Sequence, residues 1–348
     1  MASYATKVRQ DIARWQATGL IDGSTAEALS RDVETNERKS ISFGTILAMM
    51  AAVLFAAAIL IFIAANWEGI PRVGRVGALF VLILVGYVGG ALLKNRDHTA
   101  YAEAAWLVGT AAFGGAIALI GQMYHMSGDE AGAIVVWCIG TIAAAAALRS
   151  GPQTVAAVGL AAAWLFIKGF EFFRQTEFPY AFVLIAAVLW LISYWTESRI
   201  ARHLILLSLI AYVALLATVH DFLGTSVLLA GGSAALLALA VFLPGPVEAF
   251  ARIDGRMPLH ALIGFLTGIG MFQIEKIDEV GPMVVAAVAA LAVIAFALLF
   301  AGRESRGMRW IAYLGFAFEL CFLYAVTLGS MIGTAGFFLA AGLILAAL

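Results

Sequence analysis

Residues 43–65 read FGTILAMMAAVLFAAAILIFIAA, an apolar run without one charged side chain. Its length matches the roughly 20 residues that a helix needs to cross the hydrocarbon core of a bilayer. Because lipid offers no hydrogen bonds to the backbone, such a run must pair its own amides and carbonyls, as a helix does. Residues 43–65 are therefore predicted to form a transmembrane helix.

Further runs of this kind follow along the chain. Of the 348 residues, 63% are hydrophobic and 12% are charged, whereas ordinary soluble domains are about 45–50% apolar and about 25% charged. This composition predicts an all-α fold, a polytopic transmembrane helix bundle of about twelve spans with the lipid bilayer as its surroundings. After 43–65, the predicted spans lie near 73–93, 104–121, 131–148, 154–170, 179–196, 201–219, 226–243, 259–274, 282–301, 308–328 and 330–348.

The positions of lysine and arginine support an even number of spans. If the amino terminus is inside, 16 of the 21 basic residues fall in inner segments and five in outer ones. Inner loops of membrane proteins carry such an excess. Twelve spans with both termini on the inner side are therefore self-consistent.

The first 42 residues differ in composition from the rest. Their apolar residues recur at helical spacing, and Ser24 with Glu27 has the spacing of a capping box at the start of a second helix. We predict a cytoplasmic helical hairpin over 1–42, followed by the transmembrane bundle over 43–348. The hairpin is either a docking surface for a cytoplasmic partner at residues 1–40 or a small cap on the bundle.

Polar residues gather at two predicted outer loops. The first loop contains Asn66, Trp67, Glu68 and Arg72, which fit either an interfacial turn with a surface ion pair or part of a binding site.

The second outer loop follows the stretch 119–130, LIGQMYHMSGDE. It supplies Gln122, Tyr124, His125 and Asp129. Gln122 and His125 are three residues apart, so they share a face if the helix continues. Since histidine titrates near neutral pH, His125 is a candidate to bind a ligand or carry a proton; Asp129 also fits a cap on the next helix.

Glu319 lies inside the predicted span 308–328, in FAFELCF. A charge at the centre of a span costs about 2.5–3.5 kcal/mol on insertion scales. Glu319 is therefore expected to face the bundle interior, to be protonated or to have a partner, and it serves either a substrate or proton pathway or a structural hydrogen bond. The candidate partners are Lys168, Gln122, Gln273 and His220.

Several site classes are excluded by missing patterns. No HxxxH, HxxE or CxxC spacing occurs, so no metal site is expected, and no phosphate loop or dinucleotide fingerprint indicates a cofactor. The net charge of −1 is by itself uninformative about a nucleic-acid or acidic partner, and no nucleic acid is expected among the partners. Cys138 and Cys321 both lie in apolar runs and are expected to be buried thiols.

Three segments carry a resemblance to a known family. These are the amino-terminal segment with Trp15 and Gly19-Leu20-Ile21, the turn AANWEGIPR, and GQMYHMSGD. Over roughly the first 150 residues the chain resembles the bacterial multi-pass membrane proteins of the domain of unknown function 2157. The resemblance implies a bacterial inner-membrane protein, and it implies no substrate and no catalytic residues. The cytoplasmic amino terminus is expected instead because about forty polar, mixed-charge residues precede the first apolar run.

Three hypotheses for the function follow. The leading one is a transporter-like or small-molecule/lipid-binding bundle with an outward-facing polar cavity between the first four spans, coupled to protons through Glu319. The alternative is a non-catalytic scaffold or assembly factor for envelope proteins. A third hypothesis, an intramembrane transferase using His125 and a carboxylate, leaves enzymatic activity open, although no catalytic residues are assigned.

Overall fold

The computed structural model describes residues 4–35, 43–65, 71–123, 130–172, 178–302, 305–327 and 331–347. In these ranges the regular secondary structure is helical. The helices are α1 (Tyr4–Ala17), α2 (Gly23–Thr35), α3 (Phe43–Ala65), α4 (Arg72–Asn95), α5 (Thr99–Met123), α6 (Glu130–Leu148), α7 (Gly151–Phe172), α8 (Phe182–Trp195), α9 (Arg199–Ala217), α10 (Phe222–Phe242), α11 (Pro244–Ala251), α12 (Met257–Glu275), α13 (Val280–Phe300), α14 (Arg306–Thr327) and α15 (Met331–Ala347).

Each of the twelve predicted spans overlaps one of these helices, which confirms the all-helical bundle. Among the described residues, eight helices are long and apolar enough to cross a membrane. They are α4, α5, α6, α9, α10, α12, α13 and α14.

Two helices depart from a simple series of long spans. Helix α8 has 14 residues, which is ~21 Å at about 1.5 Å per residue and less than the roughly 30 Å of the hydrocarbon core. The short helix α11 was not predicted. It begins with Pro244 in the first turn, where the missing amide has no partner to lose, and it ends at Arg252 with left-handed φ of 50°.

Three of the tight turns between helices share one geometry. Asp97, Arg149 and Glu197 have φ values of 62°, 52° and 53°. One residue further on, the amides of His98, Ser150 and Ser198 bond carbonyls five residues back, at 3.0, 3.1 and 3.0 Å. These are the bonds of a Schellman motif, which closes the carboxyl end of a helix. The chain therefore reverses in two or three residues at each of these turns.

These turns meet at one end of the bundle. Arg149 Nε donates to Trp195 O at 3.0 Å, and Arg199 reaches Asp254, in the turn before α12, at 2.7 Å. Arg256 and Arg306 line one cavity, so α14 begins at the same end of the bundle. We call this side, which gathers the turns at 96–98, 149–150, 196–198, 252–256 and 305–306, the basic end. The turns at 178–181, 218–221 and 276–279 form the opposite end.

A small buried cluster joins α10, α11 and α12, and the rest of the buried core divides into two parts. One cluster joins α6, α7, α8 and α9 around Trp164, Phe182 and Tyr212. The other joins α10, α12, α13 and α14 around Leu262, Phe265 and Met308. Helix α9 packs against both α7 and α10, so it connects the two parts.

Two predictions about single residues are wrong. Cys138 is buried and its thiol reaches Ala157 O at 3.4 Å, but Cys321 is exposed, because apolar surface in a membrane helix faces lipid as readily as protein. The first turn of α2 is capped by Asp22, whose carboxylate accepts from Thr25 N at 2.8 Å. Ser24 donates to Asp22, and Glu27 pairs with Arg31, so the two do not form a capping box.

Candidate functional site

Most of the predicted outer-loop site lies outside the described residues. This applies to Asn66, Trp67, Glu68, Tyr124, His125 and Asp129. Arg72 is the first residue of α4, and Gln122 is exposed in the last turn of α5. The two outer loops therefore remain a prediction.

Glu319 is buried, with 3% of its surface exposed. Its Oε1 accepts a hydrogen bond of 2.6 Å from Gln273 Nε2, and Gln273 is fully buried at 0% exposure. Gln273, one of the four candidate partners, therefore contacts Glu319. The structure does not bring Gln122 to this pair, since α14 packs against α12, α13 and α15 while α5 packs against α3, α4, α6 and α7.

The pair lies off the centre of the bundle. Glu319 comes thirteen residues after the first residue of α14, ~20 Å from the basic end at about 1.5 Å per residue. Gln273 is two residues before the end of α12, where the polar turn of Lys276 and Glu279 follows, bridged at 2.7 Å. The carboxyl group is therefore nearer to water at the opposite end than to water at the basic end.

Both side chains line a cleft of about 320 Å³ between α12 and α14. The other lining residues are Ile263, Leu266, Thr267, Ile269, Gly270, Ile311, Leu314, Gly315 and Phe318. Gly270 on α12 and Gly315 on α14 have no side chain to fill this space. A mostly apolar cleft with a few convergent polar groups is the usual form of a small-molecule site.

The hydrogen bonds of the pair depend on protonation. Gln273 Oε1 is buried without a partner among the described residues. A charged carboxylate can only accept, whereas a protonated one has an O–H to donate. A neutral Glu319 can therefore offer a donor to Gln273 Oε1 while still accepting from Gln273 Nε2, and it avoids the cost of a charge in a desolvated site.

A second buried polar cluster joins α4, α5 and α7, and it was not predicted. Tyr87 OH lies 2.9 Å from Thr110 Oγ1, and Thr110 donates to Gln153 Oε1 at 2.8 Å. Ser150 accepts from the backbone amide of Gln153 at 3.2 Å and donates to Glu103. Gln153 Nε2 is buried without a partner in the described part of the chain.

This cluster, Tyr87–Thr110–Gln153–Ser150–Glu103, could have been found from a simple signal. Thr110 is a lone hydroxyl in an apolar helix, and such residues commonly bond across helices in membranes. The residue predicted as a site inside a span was ionisable, and single hydroxyl and amide groups inside the spans were not predicted to form one. His260, in the first turn of α12, is also buried at 5% exposure, and its ring stacks on that of His203 with centroids 4.9 Å apart.

The comparison with known families bears on the segment that holds this cluster. Residues 13–154 match the family described as "Predicted membrane protein (DUF2157)". The match covers α2 to α6, the start of α7 and all five cluster residues, and it confirms the resemblance seen in the sequence over about the first 150 residues. Glu319 and Gln273 lie beyond the part matched to DUF2157. No curated protein and no solved structure matches the chain.

Proposed function

We propose that this protein is a transporter-like bundle that binds a small molecule between α12 and α14, with Glu319 as the group that takes up and releases a proton. The observation that carries the proposal is the buried bond between Gln273 and Glu319 on the wall of a cleft. Ionisable residues inside transmembrane bundles are costly, and they mark substrate or proton pathways by default.

Protonation links binding to a proton gradient in this arrangement. A bound solute that donates to Glu319 competes with the proton for the same oxygen atoms, so proton release and solute binding are coupled. The polar residues of the outer loops, Asn66, Trp67, Glu68, Arg72, Gln122, Tyr124, His125 and Asp129, are proposed as an entrance on the outer face. The proposal also places the protein in a bacterial inner membrane, with twelve spans and a cytoplasmic amino terminus.

The test is proton movement in reconstituted vesicles. The purified protein is placed in phosphatidylethanolamine/phosphatidylglycerol vesicles containing a pH-sensitive dye, a pH gradient is imposed, and pools of candidate solutes are added. Wild type is expected to move protons with at least one pool, and Glu319→Gln is expected to abolish this movement. Glu275→Gln is the matched control, since Glu275 is exposed on the same helix as Gln273.

Two results would contradict the proposal. One is the absence of solute-dependent proton movement in wild type for every pool. The other is wild-type behaviour of Glu319→Gln. His125→Ala tests the outer entrance separately and is expected to raise the solute concentration needed for half-maximal movement.

The second candidate function is a scaffold for envelope proteins that docks partners through residues 1–40. One observation favours it: Leu20, at the turn between α1 and α2 and inside the proposed docking segment, is 73% exposed. Deleting residues 1–40 is expected to remove a partner that co-purifies with the full chain, and Leu20→Ser is expected to weaken the same partner. Full retention by both variants would reject the scaffold role.

A further inference from the structure

A large apolar groove runs along α8 and shares no lining residue with the Glu319 cleft. It lies between α8, α9 and α10, with α11 at its basic end, and has a volume of about 850 Å³. Its lining includes Ala187, Leu206, Leu239 and Val247. Two aromatic residues in the wall carry polar atoms, but Trp190 Nε1 donates to Tyr194 OH at 3.0 Å, and Tyr194 OH donates to Phe250 O. The groove therefore offers an apolar surface.

The length of the groove matches one leaflet of a bilayer. Along α8 it extends over the twelve residues from Val183 to Tyr194, a rise of ~16 Å at about 1.5 Å per residue. Half of a hydrocarbon core of roughly 30 Å is about 15 Å. Leu191 and Phe250 on the lining are 69% and 67% exposed, so the groove opens toward the surroundings of the bundle, which are lipid.

The basic end of the groove carries positive charge on an aromatic ring. Arg202 and Arg252 each place their guanidinium carbon 5.2 Å from the centre of the Tyr194 ring. Arg202 is buried at 3% exposure and donates to Ser193 O at 2.9 Å and Arg252 O at 3.0 Å. Its Nε has no partner in the described part of the chain.

The nearby carboxylates, Asp254 and Glu248, are fewer than the arginines at this end of the groove. Asp254 binds Arg199 through both oxygens, at 2.7 and 2.8 Å. Glu248 accepts from the backbone amides of Asp254 and Gly255, each at 2.8 Å. Arg252 is exposed and has no carboxylate partner among the described residues. An excess of positive charge therefore remains where the apolar groove ends.

We infer that this groove binds one phospholipid with an anionic headgroup, its acyl chain along α8 and its phosphate at Arg252. An arginine donates to phosphate oxygens through several N–H groups in a fixed plane, and basic pockets between membrane helices hold anionic headgroups in this way. The acyl chain fills a groove whose own polar atoms are satisfied within its wall. The inference is independent of the proposed transport function.

The test is native mass spectrometry of the full chain, purified in detergent with equal amounts of phosphatidylglycerol and phosphatidylcholine. Wild type is expected to retain one phosphatidylglycerol in preference to phosphatidylcholine. Arg252→Gln is expected to lower this preference about fivefold, the factor that one cation near a membrane surface supplies. Ala187→Trp and Leu239→Trp fill the groove and are each expected to remove the retained lipid.

Two matched controls show whether the loss of any exposed arginine, or the addition of any tryptophan, changes lipid retention. Arg96→Gln removes an exposed arginine in another turn at the basic end, and Ala118→Trp adds the same ring on an exposed face of α5. Both are expected to retain phosphatidylglycerol as wild type does.

Three results would overturn the inference. They are equal retention of the two lipids by wild type, unchanged preference in Arg252→Gln, and a dimer of the chain that retains no lipid. If one tryptophan variant does not give a monodisperse protein, the other and Arg252→Gln still decide the outcome.

Discussion

Gln273 and Glu319 form a buried hydrogen-bonded pair. If either side chain is removed alone, the other loses its hydrogen-bond partner. The bond of 2.6 Å between them is buried. Removing one member leaves a buried polar group without its partner, which costs about 1–3 kcal/mol, whereas replacing both with apolar groups can be nearly neutral. The difference between the single and the double substitutions therefore distinguishes coupling between the two side chains from a general loss of packing.

The first prediction is therefore a double-mutant cycle. Gln273→Leu and Glu319→Leu are each expected to lower the free energy of unfolding by about 1–3 kcal/mol, and the double variant is expected to recover most of that loss. Urea unfolding in detergent measures all three. Glu319→Gln, which keeps an acceptor for Gln273 Nε2, is expected to stay near wild type. Additive losses in the double variant would mean that the two residues are not coupled.

At the scale of helices, close approach in the segment matched to DUF2157 depends on glycine. A Cβ at Gly86 would lie 2.7 Å from the Gly109 backbone, whereas nothing lies within 4 Å of the same position at Gly89. Membrane helices associate through such small residues because packing, not exclusion of water, holds them together.

The second prediction compares these two glycines on α4. Gly86→Ala is expected to lower the midpoint of thermal unfolding, because helices α4 and α5 must separate to admit the methyl group. Gly89→Ala is expected to leave the midpoint unchanged or raise it, since alanine favours a helix by about 1 kcal/mol over glycine. A scan in detergent measures both midpoints. Equal effects would show that this contact does not limit the packing.

Helix α2 depends on its cap in a way that pH can test. The Thr25 hydroxyl and amide, followed by the Ser24 hydroxyl, hold the pKa of Asp22 below its ordinary value. A lowered pKa means that the charged cap contributes in full above the ordinary value of about 3.9 and is lost as the pH falls through the folded-state value.

The third prediction is a loss of protection in α2 at acid pH. Hydrogen exchange at Thr25 and the following amides, corrected for the intrinsic rate at each pH, is expected to accelerate as the pH falls below about 3.9. Asp22→Asn keeps an acceptor that does not titrate, so it is expected to remove this pH step. A step of the same size in Asp22→Asn would assign the loss to other groups.

The helices were the most predictable elements, for a physical reason. Apolar runs such as 43–65 can satisfy their backbone in lipid only as helices, so each predicted span overlaps a helix. Helix α11 was missed because eight residues between two spans carry no distinctive period. The partner of Glu319 could be narrowed to four residues but not chosen, because the choice depends on which helices pack together.

At the scale of the molecule, the bundle has two cores joined by α9 and two chemically different ends. The Tyr87–Thr110–Gln153–Ser150–Glu103 cluster joins α4, α5 and α7, whereas the Gln273–Glu319 pair joins α12 and α14, so the two buried polar groups lie on different helices. From the sequence, the outer loops and Glu319 were assigned to one transport pathway because both carry polar residues. Along the chain they are far apart, and α14 and α5 have different helix neighbours.

The collection of arginines at the basic end gives a topology that can be tested directly. Asp97 and Glu197 lie in turns at the basic end, whereas His220 and Asp278 lie at the opposite end, and all four are exposed. Leu20 precedes α3, so its side of the membrane relative to Asp97 shows whether α3 and α4 both cross. Inner loops carry the excess of lysine and arginine, so the basic end is expected to face the cytoplasm.

The last prediction uses single cysteines in a Cys138→Ser, Cys321→Ser background with an impermeant maleimide on whole cells. His220→Cys and Asp278→Cys are expected to react in intact cells. Asp97→Cys, Glu197→Cys and Leu20→Cys are expected to react only after permeabilisation. Labelling of Leu20→Cys from outside, with Asp97→Cys inside, would mean an odd number of crossings between them and would reject twelve spans. Reaction of Glu197→Cys but not of Asp97→Cys in intact cells would reject the common basic end. The contacts of Arg149 and Arg199 hold the Glu197 turn beside its neighbours at that end.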